Sequence, residues 1–339
     1  MTQNAARAEE TSANLDSERL LPVLSLMWKI RLFEETAIEA QREGLVLGAI
    51  HPSIGQEAVA AGICPNLRQA DLLLSTHRGH GHTLAKGADP LAMMMELFGR
   101  AEGTCGGKGG SMHIADFGVG MLGANGVVGA NITIGVGAAH ALKMRRSDDI
   151  AVCIFGDGAI NRGPFLEGLN WARVYDLPVL FVCEDNGFSA TTRTRTLTGG
   201  PGAVARAESL GLPAEEVDGN DVLGVDAAAR TAIDAIRQGG GPRFLQCRTY
   251  RMTGHTAVDP ATYRDAAEVE EWRAHCPIAR LEGALRLAGV DEARMQQQRT
   301  EAEQYMQDVY ARARDAEWPD PAQAFADVQD IGNPAERAY

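Results

Sequence analysis

Residues 155–187 read FGDGAINRGPFLEGLNWARVYDLPVLFVCEDNG, and their pattern decides the fold class. The run Ile150–Phe155, which leads into this stretch, is apolar throughout, and Leu177–Cys183 near its end is again an apolar run. Continuous apolarity marks strands buried on both faces, as in a parallel sheet. Phe165–Tyr175 between them has the length and spacing of a helix, so the unit reads β-α-β. A right-handed crossover brings the C-terminal ends of both strands to one sheet edge, where α/β proteins bind ligands. Asp157, inside Gly156-Asp157-Gly158, follows the first strand; Asn186, inside Glu184-Asp185-Asn186-Gly187, follows the second. Their oxygen-bearing side chains are therefore expected to face each other across one crevice.

A dinucleotide site fits this edge poorly. Gly156-x-Gly158 followed by Gly163 is not the G-x-G-x-x-G spacing, and the Asp157 carboxylate would repel a pyrophosphate unless a cation stood between them. Mg²⁺ meets that condition, because it takes one or two protein oxygens and completes its shell with phosphate oxygens and water. The pattern asks for a metal-bridged diphosphate. On spacing alone a plain tight turn fits equally well, since Asp, Asn and Gly favour turns for reasons of their own.

Working outward, Ser17–Gly44 reads as a long helix with Ser17 as N-cap and Gly44 as its stop. A second helix has Asp89 as cap, Pro90 in first position, a body Leu91–Phe98, and Gly99 at its end. A helix around Val222–Ile236 precedes a strand Phe244–Tyr250, and from about Ala266 the chain is charged and helical. The expected architecture is a mostly parallel sheet flanked by helices on both faces. A loose tail occupies 1–17, and one domain spans 18–339 with helical extensions at both ends.

The 339 residues are 45% apolar and 23% charged, with 32 Lys and Arg against 45 Asp and Glu for a net charge of −13. No basic run is present to meet nucleic-acid phosphates, so that partner class is excluded. The longest uncharged run, Phe117–Leu142, is too rich in glycine to read as a membrane span. Six cysteines without C-x-x-C spacing, and a start lacking an export or organelle pattern, lead us to expect reduced thiols in a cytoplasmic protein.

Ser75-Thr76-His77-Arg78-Gly79-His80-Gly81-His82 offers three imidazoles. No Cys, Asp or Glu closes the set, and Arg78 would repel a cation, so a phosphate suits the segment better than a transition metal. Gly126-Val127-Val128-Gly129 is a glycine turn opening a helix, and Arg251-Met252-Thr253-Gly254-His255-Thr256 again follows a strand.

The GDG turn, its closing Asn186, the flanks quoted above and GKGGSMHIAD at 107–116 carry a resemblance that runs from about Leu24 to Tyr263. The chain resembles the alpha subunits of the thiamine-diphosphate-dependent dehydrogenases that open 2-oxo acid dehydrogenase complexes. The resemblance implies the thiamine-diphosphate-binding fold, with Mg²⁺ held by the Asp157 and Asn186 side chains and the Phe188 carbonyl. By the same match His77, Arg78 and Arg251 hold the diphosphate, and the backbones of Gly126 and Val128 meet the aminopyrimidine ring. Gly156, Gly158 and Ala159 belong to the cofactor motif. His255 stabilises the intermediate and His80 lies near the reactive carbon, the two being the implied catalytic groups. Asp185 stands where the family has a first Asn, which is expected to lower cofactor affinity; Phe188 replaces a Tyr without removing a carbonyl. Thr256 stands where mitochondrial members carry a regulatory serine.

The implied partners are a beta subunit in an α₂β₂ assembly, a lipoyl domain of an acyltransferase, and a small carbonyl substrate. The beta subunit would supply the carboxylate that activates the cofactor. STHRGHGH, AEGTCGGKGGSMHIAD and the short loop after His255 look closest to acetoin-dehydrogenase-type alpha subunits. Asn131-Ile132-Thr133-Ile134 departs from the small residues and Pro usual there, which leaves pyruvate and branched-chain 2-oxo acids open. A non-catalytic Mg-nucleotide module is the remaining alternative.

Overall fold

A computed structural model describes residues 16–326. Most of the tail expected at 1–17 lies outside these residues. Asp16, rather than Ser17, caps the first helix, its side chain accepting the Arg19 N–H, and Ser17 is already helical. Both residue types cap well, and the carboxylate also suits the positive end of the helix dipole.

The strands are β1 (Leu72–Thr76), β2 (Met121–Asn125), β3 (Ala151–Gly156), β4 (Val179–Asp185), a short hairpin of β5 (Phe188–Ser189) and β6 (Thr192–Arg193), β7 (Ala214–Asp218) and β8 (Arg243–Arg248). Six of them form one sheet in the order β2-β1-β3-β4-β8-β7, with every pairing parallel. The helices are α1 (Ser17–Arg42), α2 (Glu57–Ile63), α3 (His80–Ala85), α4 (Pro90–Leu97), α5 (Ala130–Met144), α6 (Gly163–Val174), α7 (Ala203–Ser209), α8 (Val222–Arg237), α9 (Ala266–Ala274), α10 (Pro277–Leu287) and α11 (Glu292–Asp315).

Alternation along the central strands explains why they read as unbroken apolar runs. Ala151, Cys153 and Phe155 of β3, with Val179, Phe181 and Cys183 of β4, pack with Ile132, Val136, Phe165 and Leu169 of α5 and α6. The intervening Val152, Ile154, Leu180 and Val182 pack on the opposite face with Val59 and Ile63 of α2 and Val225 and Ile233 of α8. Helices cover both faces, so neither set of alternating side chains can be polar. The helical C-terminal part joins this body: Met306, Val309 and Ala313 of α11 share a core with Ile30, Phe33 and Ala37 of α1 and with Met93, Met94 and Leu97 of α4.

Two strands escape a periodicity reading. β2 lies inside the uncharged run at 117–142, which the fold divides into a turn, β2 and α5. β7, sequence AEEVD, is an edge strand whose outward glutamates discourage further pairing. No helix among the described residues is long and apolar enough to cross a membrane. All six cysteines are free; Cys105 and Cys276 are half-buried and the other four buried.

The glycine-rich loop after α4 is organised by one carboxylate. Buried Glu96 accepts backbone N–H groups of Cys105 at 2.7 Å, Gly107 at 2.8 Å, Gly109 at 2.7 Å and Gly110 at 3.0 Å. Gly107 has φ +75°, and a Cβ there would stand 2.6 Å from the Gly99 carbonyl carbon. Glu96→Ala is expected to cost about 3 kcal/mol or more in a denaturant titration, because it strands several donors that a charged acceptor now satisfies. Glu96→Gln should recover part of that loss.

Candidate active site

The chain passes from β1 outward to β2, then back across β1 to β3 and β4 on its other side. This reversal opens a crevice at the C-terminal ends of the strands. A cavity of about 210 Å³ lies there. Its lining includes His77 and Arg78 after β1, Gly126 and Val128 after β2, and Gly156, Asp157, Gly158 and Ala159 at the end of β3. Asn186 and Phe188 after β4, and Arg251 and His255 after β8, complete this set. Five loops far apart in sequence thus bring twelve of the thirteen expected residues together.

His80 is the exception. Its ring is completely buried, with Nδ1 2.9 Å from Glu34 Oε2 and Nε2 2.9 Å from Ser111 Oγ. Both ring nitrogens are engaged, and His80 does not line the cavity, where it was expected near the reactive carbon. It ties α1 and the glycine-rich loop together behind the cavity wall.

The acidic side of the cavity holds Asp157 and Asn186. The Thr194 hydroxyl donates to the Asp157 carboxylate. Burial, then the neighbouring Asp185 charge, push the Asp157 carboxyl up to about 7. Asn186 Nδ2 donates to Gln56 Oε1 at 2.9 Å, while its Oδ1 accepts the Phe188 N–H at 3.1 Å. Asp185 turns toward Gln246, whose Nε2 lies 2.7 Å from its Oδ2. Among the described residues no Lys or Arg pairs with Asp157. A hard divalent cation with oxygen ligands is what such a carboxylate beside an amide oxygen fits, since its charge would favour the ionised form.

The opposite wall is cationic. Arg78 and Arg251 are buried and form no ion pair among the described residues. Arg78 donates to Pro52 O and, at 3.3 Å, to His255 O. Arg251 donates to Ala190 O at 3.1 Å and to the Tyr263 hydroxyl at 2.9 Å. Burial, then the Arg251 charge, lower the Arg78 guanidinium to about 9. Two buried guanidiniums with no carboxylate in direct contact make a ready anion site.

Three imidazoles border this wall. His51 stands 4.5 Å from His77 and 4.8 Å from His255 between ring centroids. Sequence reading missed His51: it lies in the irregular segment between α1 and α2, with no periodicity to mark its direction. Burial, then the Arg78 charge, hold all three well below the usual imidazole range, to about 3 for His51, about 2 for His77 and about 4 for His255. A group whose pKa falls on folding contributes stability above its unfolded value of 6.5, and that contribution is lost as pH drops toward the folded value. His77→Gln is therefore expected to flatten the loss of thermal stability between pH 6.5 and 4, by up to about 1.4 kcal/mol per pH unit.

Comparison with known proteins fits this geometry. The family model described as dehydrogenase E1 component matches residues 25–322. The alpha subunit of acetoin:2,6-dichlorophenolindophenol oxidoreductase from Bacillus subtilis (strain 168) is 46% identical over 75% of this chain and 77% of its own length. The subunit of the same name from Cupriavidus necator is 46% identical over 84% of this chain and 86% of its own. The pyruvate dehydrogenase E1 component subunit alpha of Zymomonas mobilis is 42% identical over 83% of this chain and 80% of its own. With a match across most of its length, on a sheet whose strand ends build this crevice, the chain belongs to the dehydrogenase E1 component family.

Proposed function

We propose that this chain is the alpha subunit of a thiamine-diphosphate- and Mg²⁺-dependent dehydrogenase acting on acetoin, with a beta subunit completing the site. The observation that carries the reading is the polarity of the cavity: Arg78 and Arg251, buried with no carboxylate in direct contact among the described residues, stand across from Asp157, which no Lys or Arg pairs. A diphosphate with a bridging Mg²⁺ satisfies both walls at once. Asp157 and Asn186 would hold the ion by side-chain oxygens and Phe188 by its carbonyl, while Arg78, Arg251 and His77 hold the diphosphate. Gly126 and Val128 would meet the aminopyrimidine through their backbones. Gly158 leaves no room for a side chain, since a Cβ there would lie 2.9 Å from Ser189 Cβ.

When bound, thiamine diphosphate supplies a carbanion nucleophile and an electron sink for cleaving the bond beside a carbonyl. The chain's own part is to orient and to manage protons. The Asp259 carboxylate accepts the His255 N–H at 2.6 Å, fixing the loop, and Arg251 Nη1 lies 3.2 Å from His255 Nδ1. A guanidinium only donates, so Nδ1 is the acceptor and the proton sits on Nε2, where His255 can give it to a substrate oxygen. Asp185, close enough to raise Asp157, supports a weaker hold on the cofactor than an asparagine would allow.

The dye-coupled acetoin activity in the names of two relatives favours acetoin; the pyruvate dehydrogenase relative keeps pyruvate as the second reading. Transfer of the acyl group to a lipoyl domain belongs to the same proposal. Mass spectrometry of the ligand retained by the copurified alpha–beta pair should find thiamine diphosphate. Dye-coupled oxidation should then run fastest on acetoin among acetoin, pyruvate and branched-chain 2-oxo acids; a different retained ligand, or preference for a 2-oxo acid, would overturn the corresponding part.

A further inference from the structure

Behind Asn186 a chain of hydrogen bonds runs through side chains that the proposed chemistry does not use. Asn186 Nδ2 donates to Gln56 Oε1 at 2.9 Å, and Gln56 Nε2 donates to Glu184 Oε2 at 3.2 Å. Glu184 Oε1 accepts from His82 Nε2 at 3.2 Å, and His82 Nδ1 meets the Ser75 hydroxyl at 2.8 Å. All four supporting side chains are buried, and Gln56, His82 and Ser75 stand outside the cavity lining. We propose that Gln56, anchored by Glu184 and His82, is a positioning residue: it fixes which way the Asn186 amide turns, so that oxygen rather than nitrogen faces a divalent cation held with Asp157.

A carboxylate accepts and does not donate, so Glu184 draws the Gln56 nitrogen to itself and leaves the Gln56 oxygen toward Asn186. That oxygen also only accepts, so Asn186 must offer it Nδ2. Asn186 Oδ1 is left on the other side, where it takes the Phe188 N–H at 3.1 Å and keeps a second lone pair. Turned by half, the same amide would set its nitrogen against the Phe188 N–H and leave the Gln56 oxygen without a donor. It would also aim an N–H at the ion position, where a hard cation takes oxygen. Buried groups left unsatisfied cost about 1–3 kcal/mol each, so one orientation is strongly favoured. A tight turn delivers Gln56 to this place: Gly55 has φ +97°, and a Cβ on it would stand 2.5 Å from Tyr250 O. Groups that orient a ligand in this way are worth about 10–100-fold in metal affinity. The role rests on the proposed cation position at Asp157 and Asn186.

Mn²⁺, which suits the same oxygen ligands, is titrated into the alpha–beta pair with thiamine diphosphate present, and free Mn²⁺ is read by electron paramagnetic resonance. Gln56→Met, close in volume but without an amide, should weaken Mn²⁺ binding by about 10–100-fold. Asn186→Asp presents an oxygen whichever way it turns, so in that background Gln56→Met should cost about twofold or less. A side chain that only supports the fold would weaken binding equally in both backgrounds, because independent effects add to within about twofold. That equal loss, or wild-type affinity in Gln56→Met, would overturn the positioning role. Glu184→Ala, which frees the Gln56 amide to turn, should show the same dependence on background and serves if Gln56→Met folds poorly by circular dichroism. A wild-type pair that takes up neither Mn²⁺ nor thiamine diphosphate would instead overturn the proposed function, and the role assigned to Gln56 with it.

Discussion

Asp157→Ala is expected to abolish retention of Mg²⁺ and thiamine diphosphate, with cofactor affinity falling at least about 100-fold, since even groups that merely support a ligand cost 10–100-fold when removed. Asp157 is the carboxylate of the crevice without a protein partner of opposite charge, held by a hydroxyl from Thr194 and raised by burial and by Asp185. Removing it leaves Asn186, a neutral ligand, facing the two buried guanidiniums. Isothermal titration of the alpha–beta pair with Mg²⁺ and thiamine diphosphate reads the change directly. The fold should survive, because the lost carboxyl is costly to bury. Near-wild-type affinity in Asp157→Ala would remove the basis for the metal-bridged reading.

The second large effect concerns the isolated chain. It is expected to oxidise acetoin slower than the alpha–beta pair by about 10²–10⁴-fold, the usual worth of positioned acid–base catalysis. Asp157 and Glu184 are the carboxylates lining the cavity. Glu184 is occupied by Gln56 Nε2 and His82 Nε2, each at 3.2 Å. Neither follows β2, where the Gly126–Gly129 turn would receive the aminopyrimidine. On that side Val127 and Val128 are 65% and 46% exposed, apolar groups placed where a second subunit would cover them. Steady-state rates of the lone chain before and after adding purified beta subunit measure the gain. Equal rates would mean that this chain carries its own activating group.

Much of this is legible in the sequence. Asp157 and Asn186 directly follow β3 and β4, strands that hydrophobic patterning locates to within two residues, so their meeting follows from crossover handedness. Arg78 likewise follows the apolar residues Leu72–Leu74 of β1. For His80, two residues from Arg78, a turn at Gly79 starts α3 and carries the ring inward to Glu34, a direction the sequence does not show. β7 was hidden because an edge strand with glutamates has no apolar signature, and β2 because glycine dilutes its pattern.

The layered parallel sheet, the main helices and the pair of strand ends that face one another are legible in the sequence alone. These depend on periodicity and local backbone preference, which act over a few residues. The long-range packing alone decides that His51 joins His77 and His255, that Arg78 and Arg251 form no ion pair among the described residues, and that His80 is a buried tie. Those outcomes depend on burial and on contacts between segments tens to hundreds of residues apart, and no local pattern encodes the direction in which a loop side chain turns.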